Sequence, residues 1–135
     1  MPEQETLERA EQDRHEGKAP STQAGEFVRE EMHHIREGKH GARSTKQAIA
    51  IGLSKARRAG VKLPPPRKGA SRTRKSAERA YRKGQRGGAK RTSPKRARAA
   101  LRALRREGRQ AASFKALSRQ ARTTARRRKS RSASR

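Results

Sequence analysis

Lysine and arginine are the residues with which this chain can do chemistry, and most of them lie in its second half. Residues 64–135 contain 27 Lys and Arg against two Glu, a net charge of +25, whereas residues 1–63 have a net charge of +2. A cation that meets a phosphate releases condensed counterions, and arginine binds phosphate through two parallel hydrogen bonds. Solubility alone requires a net charge of only about 2–8 on a small domain. The charge pattern therefore predicts a nucleic acid as partner.

The predicted nucleic-acid-binding residues are the basic side chains of this tail together with one basic pair just before it. They are Arg57, Arg58, Arg67, Lys68, Arg72, Arg74, Lys75, Arg79, Arg82, Lys83, Lys95, Arg96, Arg98, Arg102, Arg105, Arg106, Arg126, Arg127, Arg128 and Lys129. Phenylalanine, tyrosine and tryptophan make up only 2% of the chain, so it lacks a platform on which single strands could stack. We therefore expect duplex DNA, bound through its backbone with little base readout, and keep RNA as the alternative.

The four histidines, His15, His33, His34 and His40, are the remaining candidates for chemistry. A metal site needs convergent ligands, and the neighbours His33 and His34 would face different sides of a helix. We interpret the histidines as solvated helix residues and predict no metal, cofactor or catalytic site. The absence of cysteine excludes disulfides and Cys-ligated zinc. The chain is therefore predicted not to be an enzyme.

The elements that position these residues are predicted to be helices, with a helical hairpin over residues 22–63. Gly38 is a natural stop for the first helix, Ser44 and Gln47 form a capping-box pattern at the start of the second, and Gly60 ends it. Apolar residues recur at helical spacing on both helices. The predicted hairpin core consists of Phe27, Val28, Met32, Ile35, Ile49, Leu53 and Ala56.

Ile51 does not fit this core. At 100° per residue it points about 160° away from the centre of the apolar stripe on the second helix. A hairpin of roughly 40 residues is also at the edge of independent stability. We therefore expect Ile51 to lie at an interface, covered either by a second copy of the chain in a homodimer or by a helix of the tail.

The segments on either side of the hairpin are predicted to be less ordered. Residues 1–21 are acidic and polar, and their apolar stripe is too thin to hold a helix in place. The tail, residues 64–135, is predicted to form short helices near 74–83, 94–107 and 113–127 and to be otherwise largely disordered, because only 28% of the whole chain is hydrophobic. Ser93-Pro94 is interpreted as a helix cap followed by proline, although SPKR at 93–96 also resembles histone-tail motifs. The predicted fold class is all-α.

The sequence gives no sign of a membrane segment. It has no run of about 18 apolar residues, and its first residues are acidic and polar, unlike a signal peptide. We expect a cytoplasmic protein associated with the nucleoid and not with membranes.

Residues 21–69 resemble a family of small basic bacterial proteins of uncharacterised domain type. The resemblance is carried by a segment with Met32, His33 and Gly38, and by a helix of the pattern Ser-x-Lys-Gln-Ala-Ile-Ala-Ile-x-Leu-Ser-x-Ala-x-x-Ala-Gly. The matching positions in that helix are Ser44, Lys46, Gln47, Ala48, Ile49, Ala50, Ile51, Leu53, Ser54, Ala56, Ala59 and Gly60. Many members have a longer Gly- and Lys-rich loop than the KHGAR at residues 39–43 here.

Members of that family are often labelled DNA-binding, so the resemblance implies a DNA-binding role without naming any binding residues. The tail is similar to bacterial histone-like tails only in its basic composition. We therefore expect a non-enzymatic, nucleoid-associated, histone-like protein that binds DNA largely independently of sequence. The alternatives are an RNA-binding or ribosome-associated protein, and an adaptor that recruits a protein partner through the hairpin.

Overall fold

The computed structural model describes residues 2–87 and 93–133, and the regular structure in these ranges is helical. The helices are α1 (Gln4–His15), α2 (Pro20–Arg36), α3 (Thr45–Arg58), α4 (Ser71–Gln85), α5 (Pro94–Arg105) and α6 (Phe114–Ala133), with a 3₁₀ turn at Gln110–Ala112. The all-α prediction is confirmed. Among these helices, none is both long enough and apolar enough to cross a membrane.

Helices α2 and α3 form the predicted hairpin. They cross closely at Gly52, where a β-carbon would lie 2.7 Å from the Cα atom of Val28. The predicted cap of α3 is confirmed, because Ser44 Oγ accepts a hydrogen bond from the Gln47 amide at 3.1 Å. The Gln47 side chain reaches one residue further back than a capping box requires and accepts from the Arg43 amide at 2.6 Å.

The core consists of two clusters, one toward each end of the hairpin, and every predicted core residue belongs to one of them. The first cluster contains Met32, Ile35, Ala42, Ala48, Ala111 and Ala112, flanked by Val28, Ile49 and Leu117. The second contains Ala10, Ala24, Phe27, Ala56 and Val61, flanked by Leu7, Leu53 and Leu63. Each cluster includes residues from outside the hairpin, so the hairpin alone does not complete the core.

The N-terminal segment packs more firmly than its sequence suggested. Helix α1 lies along α2 and buries Thr6, Ala10 and Asp13. The Thr6 hydroxyl donates a hydrogen bond to Glu30 Oε1 at 3.1 Å. The expectation that a thin apolar stripe could not hold this helix is wrong, because Leu7 and Ala10 pack into the second core cluster and a buried hydrogen bond adds to the contact.

The expectation of a largely disordered tail is wrong for the residues that the structure describes. Helix α4 packs along α3 and buries Ala77 and Ala80. The 3₁₀ turn places Ala111 and Ala112 in the first core cluster, and α6 continues through the basic residues that were expected to be disordered. Alanine explains the error: each alanine offers little apolar area to bury, yet its small side chain lets helix backbones approach closely.

Ile51 is half-buried within the chain. A tail helix, α4, packs along α3, the helix that carries Ile51, but which of the two expected covers meets the Ile51 side chain stays a prediction. A homodimer through the hairpin stays a prediction.

Candidate nucleic-acid interface

The basic tail is attached to the hairpin through the loop between α2 and α3. The Gly41 amide donates a hydrogen bond to the Leu104 carbonyl at 2.8 Å, and the Ala42 amide donates to the Gly108 carbonyl at 3.0 Å. Leu104 lies in the last turn of α5 and Gly108 lies three residues beyond its end, so the loop is bonded both to the helix end and to the turn that follows it. The C-terminal end of α5 is thus bonded to the hairpin, and the basic residues of α5 extend from that point.

A second attachment joins α2 to the turn before α6. Arg36 Nε donates to the Ala112 carbonyl at 2.9 Å, and its guanidinium lies 4.5 Å from the centre of the Phe114 ring. Thr45 Oγ1 donates to the Ala111 carbonyl at 2.6 Å. The start of α6 is therefore held against both helices of the hairpin.

Helices α4 and α5 expose half of the twenty predicted basic residues. On α4 the buried Ala77 and Ala80 mark the inner side, and Arg72, Lys75, Arg79, Arg82 and Lys83 are exposed. Helix α5 has no buried residue, and its exposed cations are Lys95, Arg96, Arg98, Arg102 and Arg105. Ser93 Oγ accepts from the Arg96 amide at 3.3 Å with Pro94 at the first helical position, so the cap interpretation of this dipeptide is confirmed.

Helix α6 has two parts with different surroundings. Ala116, Leu117, Gln120, Thr123 and Thr124 form a half-buried stripe along its first part. From residue 125 to residue 131 every side chain is exposed. We call residues 125–131 the basic arm, since it contains four of the predicted residues in succession, 126–129.

The tail cations have no carboxylate partners among the residues that the structure describes. Every ion pair there draws its cation from the first 55 residues. Helices α4, α5 and α6 together carry 19 Lys and Arg and one Glu. Such a surface has a strongly positive field, which attracts polyanions and accelerates their encounter.

Arg57 differs from the other predicted basic residues, because the structure buries it. Its Nε and Nη2 atoms donate to the carbonyls of Leu63 and Pro64 at 3.2 and 3.1 Å. Desolvation lowers the pKa of this guanidinium. Arg57 fixes the proline-rich exit from α3, and we leave it out of the proposed surface. Its neighbour Arg58 and the loop residues Arg67 and Lys68 are exposed.

The interpretation of all four histidines as solvated is wrong for two of them. His40 is 7% exposed, and its Nε2 atom lies 3.1 Å from Oε2 of Glu31, which is fully buried. The His34 ring meets the His40 ring edge to face, with 6.1 Å between centroids. Ligand atoms of Glu31, His34 and His40 lie within 4.8 Å of one another, so these residues could hold a metal ion. His15 and His33 are exposed, as expected.

A cluster of carboxylates and ammonium groups, some of them exposed, surrounds His34 and His40. Glu3 Oε1 lies 3.0 Å from His34 Nε2 and 3.4 Å from Lys39 Nζ. Hydrogen bonds from His34 and Lys39 lower the pKa of Glu3. Lys55 donates to Glu31 Oε1. Sequence reasoning missed this cluster because His40 belongs to a loop, and only the fold of the loop brings it back to α2.

Comparison with known proteins gives one match. Residues 18–68 match the model of a family of unknown function, DUF6496. The match covers just over a third of the chain and agrees with the resemblance to an uncharacterised domain type. No curated protein and no solved structure matches this chain. The hairpin with its flanking turns is therefore similar to a family whose description assigns no activity.

Proposed function

We propose that this protein is a non-enzymatic DNA-binding protein that holds duplex DNA through its phosphates, largely independently of sequence. The observation that carries the proposal is the set of exposed cations on α4, α5 and α6, which have no carboxylate partners in the described part of the chain. The helical frame adds to their effect. Side chains that are already positioned lose less conformational entropy on binding than those of a disordered tail.

The basic arm favours a groove over a flat polyanionic surface. Residues 126–129 are four successive cations, and at 100° per residue they point to all sides of α6. Only a partner that surrounds the helix can meet all four. The major groove of B-DNA is about 12 Å wide, admits a helix and has phosphates along both walls. The major groove of duplex RNA is deep and narrow and excludes side chains.

The test is a salt titration of DNA binding by the full chain and two variants of equal charge. The arm variant replaces four cations of the basic arm by glutamine: R126Q, R127Q, R128Q and K129Q. The control variant replaces four exposed cations of the hairpin and its flanks: R29Q, R43Q, K46Q and K62Q. Fluorescence anisotropy with a labelled duplex gives the affinity at each salt concentration.

We expect affinity to fall steeply with salt, and the slope to become shallower by about 2–4 in the arm variant, since each phosphate contact contributes about 0.9 to the slope. The control variant should keep the parent slope to within about 1. Equal losses in both variants would mean that only net charge matters and would refute the assigned interface. Stronger competition by structured RNA than by duplex DNA would replace the DNA proposal with the RNA alternative.

A further inference from the structure

The fold brings three metal-ligand side chains to one point at the end of α2. Glu31 and His34 are one turn apart on that helix and therefore share a face. Gly38, at φ 80°, ends the helix, and the amides of Gly38 and Lys39 bond back to the carbonyls of Ile35 and His34. This turn reverses the chain and returns His40 to Glu31.

His40 makes one close contact, to Glu31, in which neither atom has a hydrogen to donate. His40 Nδ1 lies 2.9 Å from the Gly41 carbonyl oxygen, which can only accept, so Nδ1 carries the proton. In the neutral ring Nε2 then has a lone pair, and it faces Glu31 Oε2 at 3.1 Å. No group in the described part of the chain donates a hydrogen bond to that buried oxygen. Two acceptors that face each other repel unless a cation lies between them.

The spacing of these acceptors suits a metal ion. Two ligand atoms of a tetrahedral zinc ion, each about 2.0–2.1 Å from the metal, are about 3.3 Å apart. His34 supplies a third ligand, which a bridging proton would not need. The Nε2 atom of His34 lies 3.0 Å from the Glu3 carboxylate, and a ring nitrogen of His34 lies within 4.8 Å of ligand atoms of Glu31 and His40. A carboxylate or carbonyl partner on each ligating histidine is typical of metal sites.

The charge of the cluster also favours a cation. Glu3, Glu30 and Glu31 contribute three negative charges, against two from Lys39 and Lys55. Both Glu30 Oε2 and Glu31 Oε2 are buried and accept no hydrogen bond from the described residues. A locally negative, partly buried cluster in a chain of net charge +27 is not explained by the binding of phosphates.

We propose that Glu31, His34 and His40 bind one divalent transition-metal ion, with Zn²⁺ as the probe of choice. Two imidazole nitrogens and one carboxylate oxygen are ligands that suit zinc, and a fourth position would take water. The site takes no ligand from the tail, so its failure would leave the proposed DNA binding untouched. Bound metal would tie the end of α2 to the loop that holds α5.

The test is isothermal titration of the metal-stripped full chain with Zn²⁺, together with ¹H–¹⁵N spectra of the histidine rings. We expect one ion per chain and shifts at both His34 and His40. His34→Gln should lower the affinity at least about tenfold. His33→Gln, an exchange at the exposed neighbouring position, should leave it unchanged.

Three results would overturn the proposal: no stoichiometric zinc binding, equal weakening by the two glutamine variants, or unchanged His40 signals at saturating zinc. In the last case, a His40 ring found doubly protonated would show that a proton fills the gap instead. If His34→Gln fails to fold, as judged by circular dichroism, the visible spectrum of the parent chain loaded with Co²⁺ is the deciding measurement. A tetrahedral nitrogen–oxygen visible spectrum supports the site, and an aqua-ion spectrum refutes it.

Discussion

Alanine substitutions at two helical glycines should change stability in opposite directions, which tests the crossing of α2 and α3. A β-carbon at Gly52 would lie 2.7 Å from Val28 Cα and 2.9 Å from Val28 N. These are backbone atoms of a packed helix, and they cannot move aside as the end of a flexible side chain could. Gly25, within α2, is exposed, and a β-carbon there would meet nothing within 4 Å.

The expected magnitudes follow from these contacts. Replacing glycine by alanine inside a helix gains about 1 kcal/mol at either site. At Gly52 the clash costs about 1–3 kcal/mol, and the rigid backbone contact places it at the upper end. Gly25→Ala should therefore raise Tm by about 4 °C, and Gly52→Ala should lower it by about 4–8 °C.

The measurement is thermal unfolding of the full chain followed by circular dichroism at 222 nm, without DNA. The two variants differ from the parent by the same added methyl group, so each is the control for the other. Equal stabilisation by both substitutions would mean that α2 and α3 do not touch at Gly52, and the hairpin described above would be wrong.

Two further predictions concern single polar groups. Arg57→Met keeps most of the buried aliphatic part of the side chain but removes the donors to the carbonyls of Leu63 and Pro64. Urea denaturation should therefore show a loss of about 2 kcal/mol in the free energy of unfolding. An unchanged midpoint would contradict the role assigned to Arg57. Hydrogen bonds from Lys18 and Gln12 lower the pKa of Glu16, so its contribution to stability is present at neutral pH and is lost as pH falls through that lowered pKa. Carboxyl ¹³C titration should show the pKa returning toward its ordinary value in Lys18→Met, and no change would refute the pairing.

The local features of the hairpin could be predicted from sequence because they depend on neighbouring residues. The cap at Ser44, the stop at Gly60 and the apolar spacing of Phe27 and Ile35 involve separations of a few positions, which a pattern records directly. The packing of α1 and of the tail helices depends on long-range contacts made by alanine and threonine. Such residues are too common in solvated helices to identify a buried face in advance.

In the candidate sites, too, features set by neighbouring residues could be predicted and features set by long-range contacts could not. Most predicted tail cations are exposed, because a dense run of charges cannot be buried whatever the fold. Two predicted cations are exceptions: Arg74 on α4 is half-buried, and Arg57, which precedes the tail, is buried because the proline-rich segment turns back over α3. The grouping of Glu31 with His40 depends on the turn at Gly38 and could not be read from their separation of nine positions.

The bonds between the α2–α3 loop and the tail have a consequence for how this protein folds during synthesis. The donors on Arg36 and Thr45 find their acceptors 76 and 66 residues further along the chain. At about 5–20 residues per second, the hairpin waits roughly 3–10 s after Arg58 is made before Ala112 follows it. During that interval the first core cluster of the hairpin lacks Ala111 and Ala112, which complete it. We therefore expect that the hairpin does not fold on its own and that a fragment cut after Leu63 loses core contacts as well as charge.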